Sequence, residues 1–227
     1  MQQLKKHNLI SLIMEERLLN IYNDIIADEN IDQIKEYFKS RCYLINKDFG
    51  RLVSHFVEHA TPEHYHILDI IFHSEKFAKE NTCCDRFGEP ILHVILYALA
   101  SRSDKEYWKN LLFDETIPWN WMMYSQSIEN SLHIIAALCD SFGKELTNEL
   151  IDLCIKNDVC PLDRNDADQN SIEIFKYDVS DVLTEEDRNE IVLKLDEFSR
   201  TFTIEIPSTT YDELVEEVKE ETKTIVS

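Results

Sequence analysis

Apolar residues recur three and four positions apart along most of this chain, the spacing of one face of an α-helix. After Pro62, the run Tyr65, Ile67, Leu68, Ile70, Ile71 and Phe72 has that spacing. So do Tyr107, Trp108, Leu111, Leu112 and Phe113, and later Leu146, Leu150, Ile151, Leu153, Cys154 and Ile155. Ile31 to Phe38 predicts an earlier helix, with Leu12 to Ile26 as its partner or as an N-terminal cap. Thr184, followed by Glu185, Glu186 and Asp187, has the form of a helix start with acids in its first turn. Ile191, Leu193, Leu195 and Phe198 then carry that helix to about Arg200. Thr201 to Pro207 is β-branched and predicts extended chain, and Ser208 caps a short acidic helix over Tyr211 to Glu221. This last stretch has little to bury and is expected to be loosely held.

Between these segments one phrase returns. Asp85-Arg86-Phe87-Gly88-Glu89-Pro90-Ile91-Leu92-His93 is a turn that runs into a helix, and Asn130-Ser131-Leu132-His133 repeats its second half. Asn165 to Ile174 is a third copy with Glu173 in the histidine position, and Lys47 to Val57 is an early one. Aligned on that position, the copies fall at His55, His93, His133 and Glu173, so the spacings are 38, 40 and 40 residues. A period of this size predicts stacked units of turn, helix, connection and helix. Each helix is about ten residues, too short to stand alone in water, so each unit must bury its apolar face on its neighbours.

The phrases resemble the ankyrin repeat, whose signature joins a turn to Thr-Pro-Leu-His at the start of the first helix. Asp85 to Ile95 follows that pattern, with Pro90 and Ile91 where Thr and Pro are usual. Leu150 to Asn165 is similar to the family's outer helix and its exit into the next turn. Ser54 stands for Leu before His55, and the period exceeds the family's usual ~33 residues. Tetratricopeptide units require a Trp, Leu-Gly and Tyr spacing that is absent here. HEAT units match the period but lack the Asp-x-x-Gly turn. The resemblance covers roughly Asp28 to Tyr177. It implies an all-α solenoid of about four degenerate helix-pair repeats with helical caps, residues 1–200, followed by an acidic tail, 201–227. Within the units, Gly50 and Gly88 are expected to take positive φ, and Asp48, Asp85 and Asn165 to hydrogen-bond the turn backbone. Leu92 and Leu132 are expected to face the stack, while His93 and His133 bond backbone of the adjoining turn.

Charge narrows the partners. Acids outnumber bases 44 to 23, a formal net charge of −21. From Asp178 to Ser227 there are 15 acids and 5 bases. Nucleic-acid binders present basic surface, so that class is excluded, and anionic membrane with it. The expected partner is another protein with a segment rich in Lys or Arg. Leu9 to Met14 is too short and too broken for a secretory signal core. No run of 18 apolar residues predicts a membrane span. Six cysteines without a signal predict reduced thiols and an intracellular location, cytoplasmic or nuclear.

Chemistry has few anchors. No Gly-x-Ser-x-Gly occurs, and three glycines leave little from which to build a phosphate loop, so no enzyme and no cofactor are expected. His55 and His59 lie one helical turn apart with His64 and His66 downstream, but Glu58 sits beside the second histidine rather than the first. Cys83 and Cys84 are adjacent, and Cys-x-x-Cys is absent. Zinc wants convergent ligands at usable spacing, so the expectation is no bound metal. A metal- or redox-linked regulator using this His and Cys set is the alternative to an interaction module.

One segment stands apart. Pro161 precedes Glu173 by 12 residues, whereas Pro118 precedes His133 by 15. This predicts a turn lengthened by three residues, and it holds Trp119, Trp121, Met122, Met123 and Tyr124. An apolar turn is either folded back on its neighbours or is a contact site, since Trp and Tyr dominate interface energetics and Met adapts to varied partners. The candidate partner contacts are Arg51, Arg86, Phe87, Glu89, Trp119, Trp121, Met122, Tyr124 and Gln126.

Overall fold

A computed structural model describes residues 16–27, 30–177 and 182–202. The described chain is all-helical, with a single isolated bridge, Cys84 to Pro90, as its only extended pairing. In chain order the helices are α1 (16–27), α2 (Ile31–Glu36), α3 (Asn46–His59), α4 (Tyr65–Phe72), α5 (Glu75–Lys79), α6 (Ile91–Ser101), α7 (Lys105–Phe113), α8 (Ser131–Lys156), α9 (Ser171–Tyr177) and α10 (Glu185–Ser199). A π turn, Tyr37–Arg41, extends α2, and short 3₁₀ turns precede α4 and follow α10. The expected N-terminal helix is helical from residue 16 onward, and Leu12 to Met14 lie outside the described residues. Thr201, expected to be extended, lies in the 3₁₀ turn Arg200–Phe202; the remainder of that stretch and the Tyr211–Glu221 helix are likewise outside.

The helices pack in sequence order. α6 lies against α3 on one side and α8 on the other, and α9 follows α8. α7 folds back on α6, α4 on α3 and α2, and α10 on α9 and α8. The apolar stripes meet in one continuous core, in which Phe49, Leu52, Phe72, Ile95, Leu99, Trp108, Leu132, Leu150, Ile151 and Leu195 are fully buried. Each such side chain contributes about 1.5–3 kcal/mol by leaving water. Arg102 ties two helix ends together. Its guanidinium donates to the carbonyls of Val57 and Ala60 at the end of α3, pairs with Asp104, and lies over the Trp108 ring.

α8 is two helices in one. Its dihedrals leave the helical region at Gly143 (φ 75°, ψ 170°), a combination essentially restricted to glycine. The break divides the Ser131 arm, whose first residue meets His93 of α6, from the segment that carries the Leu146 to Ile155 apolar run.

The turn before each inner helix repeats at an exact interval of 40. Asp85 N–H donates to the Glu89 carbonyl at 2.8 Å, Ser125 N–H to Glu129 at 2.9 Å, and Asn165 N–H to Gln169 at 3.0 Å. The side chain of the first residue then accepts from two backbone amides: Asp85 from Phe87 and Glu89, Ser125 from Ser127 and Glu129, Asn165 from Ala167 and Gln169. The fourth position takes positive φ in every copy: Gly88 at 86°, Ile128 at 59° and Asp168 at 58°. The roles expected of Asp85, Asn165 and Gly88 are therefore found.

Two expectations for the early copy fail. Gly50 lies inside α3, not in a bend, and Asp48 sits in that helix's first turn. What position 50 requires is space. A Cβ there would lie 2.1 Å from the Cys84 carbonyl oxygen, so α3 packs directly on the backbone of the first turn.

Candidate functional site

Each N-terminal helix turn explains the recurring His or Glu. Asn130 caps α8, and His133 Nδ1 accepts the Asn130 N–H at 3.2 Å, a reciprocal capping box. This leaves Nε2–H to donate to the Gln169 carbonyl at 3.1 Å, the expected tie to the adjoining turn. Glu173 does the same work in the next copy, accepting the Asn170 N–H at 3.1 Å while Asn170 caps Glu173 N–H at 2.9 Å. His93 differs from expectation. Its partners are side chains, Ser131 Oγ at 3.5 Å and Glu89 at 3.4 Å, because Pro90 has no N–H to offer in a box.

The lengthened turn is relocated by the geometry. Ser131 Oγ donates to the Trp121 carbonyl and Ser171 Oγ to the Pro161 carbonyl, so Trp121, not Pro118, is the counterpart of Pro161. The three additional residues lie between α7 and Trp121, before the turn proper. Trp121 is only 5 % exposed and is a packing residue, which corrects its assignment as a partner contact. Trp119 is half-buried, its indole N–H donating to the Leu111 carbonyl at 3.1 Å and its ring set against Phe72 and Phe77. The tryptophans are thus folded back. Met122 is exposed, and Tyr124 is exposed with its hydroxyl donating to Asp163 at 2.6 Å. That bond and burial push the Tyr124 hydroxyl up to about 12, burial being the larger cause.

The remaining candidates lie at the first turn. Arg86 and Phe87 are both exposed at its tip, the guanidinium over its neighbour's ring. Gln126 is exposed, its side chain covering Gly88. Arg51 is half-buried on α3 and lines a cavity of about 230 Å³ together with Arg86. The Trp119–Trp121 pair lines a different depression near the end of α8. The structure therefore separates the candidates into an Arg51–Arg86–Phe87–Gln126 group and an aromatic group that is mostly internal.

Glu89 belongs to a set that the sequence did not assemble. It lines a depression between α3 and α6 with Glu58, Asp85, Tyr97 and Arg102. The Tyr97 hydroxyl is pushed up to about 12, first by burial and then by the negative charges of Glu89, Glu129 and Asp85. Arg102 is occupied by two carbonyls and Asp104. Asp85 accepts amides inside its turn and Glu89 lies 3.4 Å from His93 Nδ1, while Glu58 borders the depression at its α3 edge and Glu129 adds negative charge near the Tyr97 hydroxyl. Glu58 and Glu129 make no ion pair with Lys or Arg among the described residues. The only signal for this set in the sequence is that Glu89 and Glu129 hold the same place in two copies.

The cysteines offer little reactivity. Burial raises the thiols of Cys42, Cys83, Cys84, Cys154 and Cys160, that of Cys83 to about 12, so the thiolate that redox or metal chemistry needs is disfavoured. Cys154 is fully buried in α8, a small core residue as its apolar context predicts. Among the described residues, one group of three potential metal donors converges: His55, Glu58 and His59 on α3. No described helix is long and apolar enough to cross a membrane.

Comparison with family models, curated proteins and solved structures finds no match to this chain.

Proposed function

We propose that this chain is a non-enzymatic protein-interaction module, a stack of degenerate ankyrin-like helix pairs that holds a Lys/Arg-rich segment of another protein. The repeat reading is supported by the turns 40 residues apart, by the sequence-order packing of α3, α6, α8 and α9, and by the break at Gly143 that divides α8 into a pair.

The observation that carries the partner assignment is an acidic strip: Glu58 and Glu89 line one depression with Tyr97, and Glu129 lies near enough for its charge to act on the Tyr97 hydroxyl. Carboxylates spaced along a shallow depression attract Lys and Arg, and an aromatic ring among them adds a face on which a cation or its aliphatic stem can rest. The field of a chain at −21 steers such a segment inward. Arg86, Phe87 and Gln126, at the turn tip beside the strip, are the side chains placed to select among basic sequences.

The test is titration of the full-length protein with a Lys/Arg-rich peptide and with a scrambled acidic one. Only the basic peptide is expected to bind, with affinity falling as salt rises. The double variant Glu89→Gln with Glu129→Gln is expected to weaken binding about tenfold or more at low salt while leaving the fold unchanged. Equal binding by the double variant and the native protein overturns the strip as the recognition surface.

A further inference from the structure

α3 carries a second constellation, on the side of the helix that meets α1. His55, Glu58 and His59 occupy positions i, i+3 and i+4, one face of a helix. Their ligand atoms lie within 4.8 Å of one another. The two imidazole rings are 4.1 Å apart at their centroids and inclined by 35°, and Tyr22 of α1 stands edge-on to His55 at 4.4 Å.

The tautomer of His59 is fixed by the backbone. Its Nδ1 lies 3.0 Å from the His55 carbonyl oxygen. A carbonyl only accepts, so Nδ1 carries the proton and Nε2 presents its lone pair. This is the outer-shell arrangement that orients metal-binding histidines.

From this geometry we infer that His55, Glu58 and His59 form a three-donor site for a divalent transition metal, zinc by its ligand preferences. Two imidazoles and one carboxylate are a borderline-soft set that favours zinc over magnesium or calcium. Donors about 3.3 Å apart surround a tetrahedral zinc. Glu58 and His59 are exposed and free to close the remaining distance.

The fourth position has a place to go. His55 and Glu58 line the same cavity as Arg51, Ser54 and Arg86. The Arg51 Nε is buried and has no hydrogen-bond partner among the described residues. An anion completing the zinc coordination from that cavity meets the positive charge of the Arg51 and Arg86 side chains that line it, while Glu58 offsets the repulsion between the guanidinium groups and the ion. The open position therefore takes a small anion or a carboxylate.

The inference does not rest on the proposed partner, because the test uses the chain alone. Full-length protein freed of metal with a chelator is titrated with zinc, and in parallel with cobalt, whose spectrum distinguishes nitrogen and oxygen ligands from thiolates. One equivalent of zinc is expected, with a cobalt spectrum lacking a thiolate charge-transfer band. His59→Ala and Glu58→Gln, both at exposed positions, are each expected to weaken zinc binding by at least about tenfold. His55→Ala is expected to do the same, and His66→Ala, exposed on α4, to leave binding unchanged. Circular dichroism of each variant establishes that α3 has formed. Should His55→Ala fail to fold, the other two variants carry the test. No saturable binding, a thiolate spectrum, or undiminished binding by His59→Ala and Glu58→Gln overturns the site.

Discussion

The imidazole of His133 donates from Nε2 to the carbonyl oxygen of Gln169, joining the first turn of α8 to the turn 36 residues further along the chain. The ring is fully buried, and burial lowers its pKa from the ordinary 6.5, outweighing the pull of Glu129 and Asp163. The unfolded chain therefore binds a proton that the folded chain refuses. The stability that this histidine contributes is complete above about pH 6.5 and is lost as pH falls through the lowered folded value, by up to about 1.4 kcal/mol per pH unit. His133→Gln keeps a capping partner at the third helical position and removes the titration. Chemical denaturation of the two proteins from pH 7.5 down to 5 (approximate limits set by the ordinary histidine value) is expected to show a shallower decline for the variant. His133→Ala, which removes both bonds, is expected to cost about 1–3 kcal/mol at neutral pH.

Gly143 sets the shape of α8. Gly143→Ala meets no steric obstacle among the described residues, none of which lies within 4 Å of the added carbon, yet it forces an alanine into φ 75°, ψ 170°. The expected loss is about 1–3 kcal/mol of stability. Because alanine favours an unbroken helix, circular dichroism is expected to report unchanged or increased helicity in the less stable variant. Loss of helix in proportion to stability would contradict that account.

The aromatic turn separates packing from surface. Trp121→Ala removes a buried ring and is expected to cost about 3–5 kcal/mol. Met122→Ala, one position on and half exposed, is expected to change stability by less than about 0.5 kcal/mol. Thermal unfolding of the pair measures both. Similar midpoints would mean that Trp121 lies at the surface.

The N-terminus of α10 is held by charge. Asp187 closes a capping box with Thr184 and pairs with Lys144 on α8 at 2.5 Å. Lys144 first, and then Thr184, lower its pKa from 3.8 to about 2. The stabilisation is present above about pH 4 and is lost as pH falls towards 2. Protection of the first-turn amides of α10, measured against the intrinsic exchange rate at each pH, is expected to fall over that window. Asp187→Asn is expected to show the lower protection already at neutral pH.

The sequence reveals this fold where the chemistry is local. Asp85 and Asn165 announce their turns because short polar side chains bond the backbone two and four residues on, and Gly88 announces positive φ. Ser125 and Ile128 build the same turn from residues that announce nothing, a β-branched residue at positive φ least of all, so the turn of the second copy, unlike its helix start at Asn130 to His133, is visible only in the structure. The short α5, capped by Ser74, also lacks a pattern long enough to detect. For the acidic strip, the shared place of Glu89 and Glu129 in two turns is the one sequence signal, and nothing in the spacing of Glu58 or Tyr97 reveals that α3 and α6 join them. The two tryptophans point the other way. Their composition is that of a contact site, and only packing places them inside.

The approach of α3 to the first turn, where Gly50 leaves no room beside the Cys84 carbonyl, has an evolutionary reading. A glycine codon can mutate in one step to several larger residues, and here each would push a helix off the loop it rests on. Selection is therefore expected to hold position 50 constant while Arg86 and Phe87, at the tip of the same loop, drift with whatever they touch. Descendants of this chain would keep the path of that loop and rewrite its message.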